Sequence, residues 1–523
     1  MGPVPKIRSL VVALCLGTVA AAGDPGGWFQ EPAAPGPHLH PTAADLARVP
    51  SLAADGPVVG TYLFYWYCAR TNAHLRYADG ADACTTHPPT WEDYTFRSAR
   101  WWAAQFRDIA AAGIDLAALV YWGTPGAYDE WSFVGLPPMV EALDGLDREG
   151  ASRPRVALFY DTSTLAQNPP ARRIDLSTDE GKAWFYCSIR DFFSLVPPRH
   201  WAALAGRPLV FLYSPAFAAK QDPAVFPYVR KRFREDFGVE PCVVAQTSWE
   251  GEPDLTCDWG GARGLKLAGC AALGPGYDHS AVRGRAPLVR DREGGRFYAR
   301  AWETLLALHP ARRPRLAMVE TWNEFHEGTE VAPSLEHGRA YLEATRRYAD
   351  LFHAGRRILP ATPYSSEEAV WATLGPGGVP HGIATRAVPD GALEEGTVAG
   401  RACVTTAPSA HPARYAYFDV DDGFAFDLDP SPLTLTVDYL DAGCAYFRLE
   451  YDGADGGASV RGGAFTAGGR VRVAGSGAWK TAAFDLSDAR MANRCNGADF
   501  RLAVEGGERR LSVARVYLRK APR

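Results

Sequence analysis

From Val58 to about residue 350 the sequence alternates short apolar runs with amphipathic segments. VVGTYLFYW, LAALVYW, RVALFYD, PLVFLYS, CVVAQTSW, AALGPGYD and RLAMVETWNEF each read as a buried strand with a polar or aromatic end. Continuous apolar runs of this length suit strands covered on both faces. CDWGGA, around Trp259, offers a further short strand. Between the runs, SARWWAAQFRDIAAAG spaces Trp102, Phe106 and Ile109 for one helical face, and Gly113 supplies the stop. Strand and helix repeated over ~300 residues, with no GxGxxG fingerprint, predict an α/β fold of the (β/α)8 TIM-barrel type over residues 56–358.

The flanking sequence has other textures. Lys6 and Arg8 precede an apolar and small-residue run, Ser9 to Ala22, that ends in three alanines. This reads as an export signal over residues 1–22, and the expected location is secreted or periplasmic. Residues 23–55, rich in Pro, Gly and Ala, read as a linker or extended arm. From residue 365 to 523, segments such as YAYFDVDD, LTLTVDYL and LSVARVYLRK alternate apolar and polar residues between Gly-, Asp- and Ser-rich turns. They predict an antiparallel β-sandwich. Asp419, Asp421 and Asp422 cluster on one turn there, a pattern open to calcium but more often simply solvated. A net charge of −5 supplies no basic surface for nucleic acid. Past the leader, no apolar stretch has the length of a membrane span.

Barrel enzymes work at the C-terminal ends of their strands. Here those ends carry Trp66, Trp122, Tyr160, Asp161, Tyr213, Trp249, Tyr277, Asp278 and the segment ETWNEFHEGTEVAPS, residues 320–334. That segment sets Glu320, Glu324, Glu327 and Glu330 beside Asn323 and His326. HEGTE begins like a zinc-protease motif, but Glu330 stands where the second His ligand is required, so no metal site is assigned. Paired carboxylates without a metal point to glycoside chemistry, in which one acid protonates the leaving oxygen and the other stabilises or relays charge. If the segment is helical, Glu324 and Glu327 lie side by side, about 5–6 Å apart at Cβ.

NEFHEGT followed by EVAPS resembles the NEWHEGT motif of glycoside hydrolase family 99, the endo-acting α-mannosidases and their relatives. FYWY, VYWG, FYDTSTL, WFYCSIRDFFS, GPGYDHS and VETWNEFHEGT resemble an exported bacterial family of unknown function in the same broad group, over residues 58–350. The resemblance implies Glu327 as general acid/base and Glu324 as base on the sugar 2-hydroxyl, retaining through a 1,2-anhydro-sugar. Glu320 and Trp322 depart from the mannosidase pattern, and Asp161 leaves an ordinary carboxylate pair with Glu327 open.

The expected substrate contacts are Trp66, Trp122, Tyr160, Tyr213, Trp249, Tyr277 and Trp322, whose flat faces suit sugar rings and equally suit a core. Asp161, Glu320 and Asn323 join them, Asn323 as a hydroxyl contact or a strand-end backbone bond. His87 either points into the mouth or holds its loop. Asp278 with His279 would form a hydrogen-bonded pair, while His326, on a turn, is expected to face away from the glutamates. Cys68 with Cys84 and Cys257 with Cys270 flank short loops and are expected to close disulfides, as export permits. The sequence thus predicts a glycoside hydrolase, endo-acting in the sense the resemblance gives, with a polysaccharide or glycan partner and no cofactor. The alternative is a non-catalytic glycan-binding protein on the same scaffold.

Overall fold

The computed structural model describes residues 27–52, 56–408, 412–429, 431–457 and 460–521. The expected export signal, residues 1–22, lies outside the described residues. The chain forms two compact units, Met1–Leu305 with Pro314–Arg356, and Leu306–Arg313 with Arg357–Arg523.

The first unit is mixed α/β. Its parallel strands are β1 (Val58–Leu63), β2 (Leu116–Tyr121), β3 (Arg155–Tyr160), β4 (Arg207–Leu212), β5 (Cys242–Ala245), β6 (Leu255–Thr256), β7 (Ala271–Leu273) and β8 (Leu316–Val319). Each pairs with the next in chain order from β1 to β6, while β7 pairs with β8 and β8 with β1. Between β6 and β7 the Cys270 N–H donates to the Thr256 carbonyl at 2.7 Å. β1 and β2 are buried along their whole length, which explains their unbroken apolar sequence.

Helices follow the first four strands: α1 (Ala99–Ala111), α2 (Leu136–Arg148), α3 (Asp179–Leu195) and α4 (Val225–Phe237). Two more, α5 (Arg296–Ala307) and α6 (Ala340–His353), flank β8. In α1 the Ser98 side chain accepts the Trp101 N–H, and Trp101, Trp102, Phe106 and Ile109 face inward. The strict strand–helix alternation fails between β5 and β7. There the chain passes through loops, the short β6 and one 3-10 turn, Gly261–Arg263. Glycines and a proline in EGEPDLT and GGARGLKLAG weaken any helix in this stretch.

Residues 27–52 are a packed arm. Arg232 grips both oxygens of Glu31 at 2.8 Å. Arg190 donates to the Pro32 carbonyl at 2.8 Å, and the His40 N–H reaches the Asp236 carbonyl at 2.7 Å. Apart from the helical turn Ala43–Leu46 and the short strand Ser51–Leu52 it is irregular, and side chains from α3 and α4 fix its path.

The second unit contains two antiparallel, sandwich-like sheets. Its main strands are β9 (Ala369–Thr373), β10 (Ile383–Thr385), β11 (Leu393–Val398), β12 (Arg401–Thr406), β13 (Arg414–Val420), β14 (Leu433–Leu440), β15 (Tyr446–Tyr451), β16 (Thr466–Arg472), β17 (Trp479–Leu486), β18 (Phe500–Glu505) and β19 (Ser512–Lys520). One sheet joins β9, β19, β12 and β11, with β14 and β17 attached through β19; the other runs β10-β13-β18-β15-β16. Leu435, Val437, Val516 and Leu518 from the first share one apolar core with Phe418, Phe447, Phe500 and Leu502 from the second. Alternation in LTLTVDYL puts Leu433, Leu435 and Val437 inside and leaves the threonines half-exposed.

Candidate active site

Three adjacent strand ends repeat one pattern: Tyr65-Trp66, Tyr121-Trp122 and Tyr160-Asp161. Side chains alternate across a sheet. Each tyrosine is fully buried, whereas Trp66, Trp122 and Asp161 are only part-buried. Trp66 meets Trp122 edge-on at 5.7 Å between ring centroids, and Trp122 Nε1 donates to Asp161 Oδ2 at 2.6 Å. Asp161 Oδ1 accepts the Ser163 N–H and so starts the turn Thr162–Leu165. Burial raises the Asp161 carboxyl, against the pull of these donors.

The acid-rich segment after β8 is a turn, not a helix: the Thr329 N–H donates to the Glu324 carbonyl. Glu324 is buried, 3% exposed. Its Oε1 lies 2.8 Å from His326 Nδ1 and accepts the His326 N–H at 3.2 Å. Its Oε2 has no hydrogen-bond partner among the described residues. Burial raises this carboxyl, the His326 imidazole opposes the rise, and Glu327 adds to it. His326 therefore faces Glu324, contrary to the expectation that it would point away. Its Nε2 donates to the His74 carbonyl at 2.6 Å, and the His74 ring stacks on Trp66 at 4.8 Å and 3°.

Glu327 is part-exposed and held differently. The Tyr277 hydroxyl donates to its Oε1 at 3.1 Å, and Arg285 Nη1 reaches the same oxygen at 2.7 Å. The Tyr213 phenol is pushed up by burial and by the charges of Asp161, Glu327 and Glu320, which converge on it from β3 and the segment after β8. Beneath them Glu320 is 1% exposed. It accepts the Gly260 N–H at 2.9 Å and the Ala262 N–H at 3.3 Å, and burial pushes its carboxyl up to about 7. Gly260 sits at φ +104°, and a Cβ on Gly261 would come within 2.4 Å of the Ala272 carbonyl carbon, so this cradle requires both glycines.

Several expected contacts are structural instead. Tyr160 turns outward and hydrogen-bonds Ser188 of α3 at 3.3 Å. Trp249 packs on Phe185 and Phe226, and its Nε1 donates to the Tyr213 carbonyl. Trp322 is fully buried, with Nε1 donating to Gln105 of α1 at 2.8 Å. Asn323 bonds the Phe64 backbone. His87 is occupied by Glu336 at 2.7 Å and Asp82 at 3.2 Å. Asp278 turns to Ser280 rather than to its neighbour, and His279 is held by the Tyr277 hydroxyl and the Ala286 carbonyl, each at 2.8 Å. Glu330, at the end of the acid-rich segment, is buried on Thr86 and Arg292. Cys68 and Cys84 are separate buried thiols: Thr95 Oγ1 donates to Cys68, while Cys84 faces the His74 carbonyl. Cys257 and Cys270 are likewise free thiols.

Residues 71–359 match the family described as a domain of unknown function, DUF5010. The chain belongs to this family. Among solved structures the DUF5010 chain is similar to the GH99 endo-alpha-mannosidase from Bacteroides thetaiotaomicron, at 15% identity and a TM-score of 0.40, over 57% of this chain and 98% of that one. It is also similar to Arthrobacter globiformis T6 isomalto-dextranase complexed with panose, at 11% identity and a TM-score of 0.28, over 89% and 97%. The K1 cleaved adhesin domain of Lys-gingipain from Porphyromonas gingivalis W83 matches at 16% identity and a TM-score of 0.20, over 29% and 99%. No curated protein matches the chain.

The DUF5010 site also uses residues that the sequence did not single out. Arg285 on Glu327 and His74 on Trp66 come from loops, while Trp131, 5.9 Å from Trp122, opens the short helix Trp131–Val134. Glu130, beside Trp131, is pushed up to about 7 by burial. Trp259 stacks on Phe159 at 5.5 Å and meets Tyr213 edge-on. Loop composition gave no signal for them, because their role depends on which loops meet. Elsewhere in the first unit Asp144, Asp147 and His200 gather ligand-type atoms. Arg199 binds both oxygens of Asp144 and Arg153 both of Asp147, so their charge is already balanced. Among the described residues, no helix is long and apolar enough to cross a membrane.

Proposed function

We propose that the chain is an exported glycoside hydrolase acting on a polysaccharide or glycan, its first unit a (β/α)8 barrel. The observation that carries the reading is the unequal treatment of two neighbouring glutamates. Glu324 is buried on His326 and keeps one oxygen unpartnered, whereas Glu327 is part-exposed on Tyr277 and Arg285. Pairs of acids in different environments take different roles. In this reading Glu327 protonates the leaving oxygen. Glu324 takes the 2-hydroxyl proton, and the freed oxygen closes a 1,2-anhydro ring as the glycosidic bond breaks. Water then opens that ring: Glu327 takes a proton from the water as it attacks, and Glu324 returns its proton to the sugar 2-oxygen. Two acids on one turn suit this route better than a double displacement, which needs carboxyls flanking the bond. Trp66, Trp122 and Trp131 offer stacking faces beside them.

One observation favours a second reading. The Arg285 guanidinium, 2.7 Å from Glu327 Oε1, and the Tyr277 hydroxyl, 3.1 Å from the same oxygen, already hold the group that a proton donor would turn to the leaving oxygen. That suits a glycan-binding protein without turnover. The two readings separate on reducing-end release from mannans, α-glucans and a mixed glycan panel, with Glu327→Gln and Glu324→Gln as controls. Release that both variants lose supports the hydrolase; binding without release on every glycan supports the second reading.

A further inference from the structure

We infer that His326 is a positioning residue for Glu324: it fixes Oε1 and carries the positive charge that keeps the buried carboxyl ionised. The inference rests on the hydrolase reading for its kinetic consequence, but the pairing stands on geometry alone. The His74 carbonyl, 2.6 Å from Nε2, can only accept. Nε2 therefore keeps its hydrogen in every state. Nδ1, 2.8 Å from Glu324 Oε1, then has two compatible arrangements. Either the imidazolium donates to the carboxylate, or the carboxylic acid donates to neutral imidazole. The pair shares one proton.

The backbone selects between these arrangements. The His326 N–H also donates to Oε1, which favours the carboxylate. Burial works against charge on His326, but Glu324 outweighs it and raises the imidazole. The neighbouring ring does not compete, since burial and His326 push His74 down to about 3. The other titratable groups packed against the pair are Tyr67 at the end of β1, Cys84 and Tyr94 on the loop that follows, and Glu327. Burial raises Tyr67, Cys84 and Tyr94, so all three stay neutral near pH 7. With Oε1 committed to His326, an incoming hydroxyl proton goes to the unpartnered Oε2.

The test uses the full protein labelled with 15N-histidine and needs no ligand. His326→Gln assigns the ring signal. In the wild type both ring nitrogens should stay protonated at least one pH unit above the ordinary histidine midpoint of ~6.5. In Glu324→Gln that midpoint should fall by one unit or more. A neutral His326 ring at pH 6 in the wild type, or an unchanged midpoint in Glu324→Gln, overturns the inference. On mannan as probe, the acid limb of kcat/KM should move to higher pH by one unit or more in His326→Gln, with part of the lost rate recovered as pH rises. An acid limb that stays in place overturns the positioning role. A wild type that shifts as expected by NMR yet releases nothing from mannan or the other glycans sinks the hydrolase reading and leaves the proton-sharing pair intact.

Discussion

Asn323 closes a two-bond clamp on Phe64: its Oδ1 accepts the Phe64 N–H at 2.8 Å and its Nδ2 donates to the Phe64 carbonyl at 2.8 Å. The amide takes the place of a strand backbone, so the end of β1 and the turn after β8 stay in register beyond the last ladder bond. Asn323 is fully buried. Asn323→Leu leaves a buried N–H and a buried C=O unpaired, at about 1–3 kcal/mol each. The expected outcome is a denaturation midpoint lowered accordingly, with unchanged m-value. A midpoint equal to wild type would show that the clamp contributes nothing to stability.

Glu320 gives the first unit a pH-dependent stability. Its folded-state value of about 7 lies above the ordinary 4.5. Between those values the folded state binds more protons than the unfolded one, so stability falls as pH rises from 4.5 to 7. A shift of this size corresponds to about 3 kcal/mol at most. Glu320→Gln puts an NH2 in place of one buried oxygen, which costs some stability, while its carbonyl oxygen can still accept both backbone donors as Oε2 does. The variant should nonetheless show a smaller difference between its urea midpoints at pH 5 and pH 8. An equal difference in both proteins would assign the titration elsewhere.

Glu327→Gln should keep the fold and bind glycan while losing ~10²-fold or more in rate on poor leaving groups. Aryl glycosides, which need less protonation, should recover part of that loss. Substrates with fluorine or hydrogen in place of the 2-hydroxyl should be inert and leave no adduct. A sugar ester on Glu324, Glu320 or Asp161 by mass spectrometry would replace the anhydro-sugar route with ordinary double displacement.

Trp122→Phe keeps a flat face but removes the donor to Asp161. The Asp161 carboxyl, already raised by burial, should rise further. Removing the whole face with Trp122→Ala should weaken glycan binding by the ~1 kcal/mol or more typical of a lost aromatic contact. Calorimetry on a glycan the wild type binds compares the two; equal affinity for Trp122→Ala and wild type would take this ring out of the subsite.

The main strands, the helix Ala99–Ala111 and the acid-rich segment were legible because their signals are local. An unbroken apolar run marks a covered strand, Trp102, Phe106 and Ile109 mark a helix face, and four glutamates after a strand mark a charged end. Period-two alternation also explains which half of each Tyr-Trp or Tyr-Asp pair lies buried behind its strand, so Tyr160 could have been excluded by the logic that keeps Asp161. Tertiary structure alone decided the rest. Whether Trp249 and Trp322 stack on sugars or fill the space between helices depends on α1, α3 and α4 packing behind them. His326 faces Glu324 because the His74 carbonyl, from a loop far away in sequence, anchors its other nitrogen. Arg285 meets Glu327 only because the strand order brings the loop after β7 beside the turn after β8. Periodicity fixes which face of an element is apolar; only the closing of distant loops fixes which polar groups share a charge or a proton.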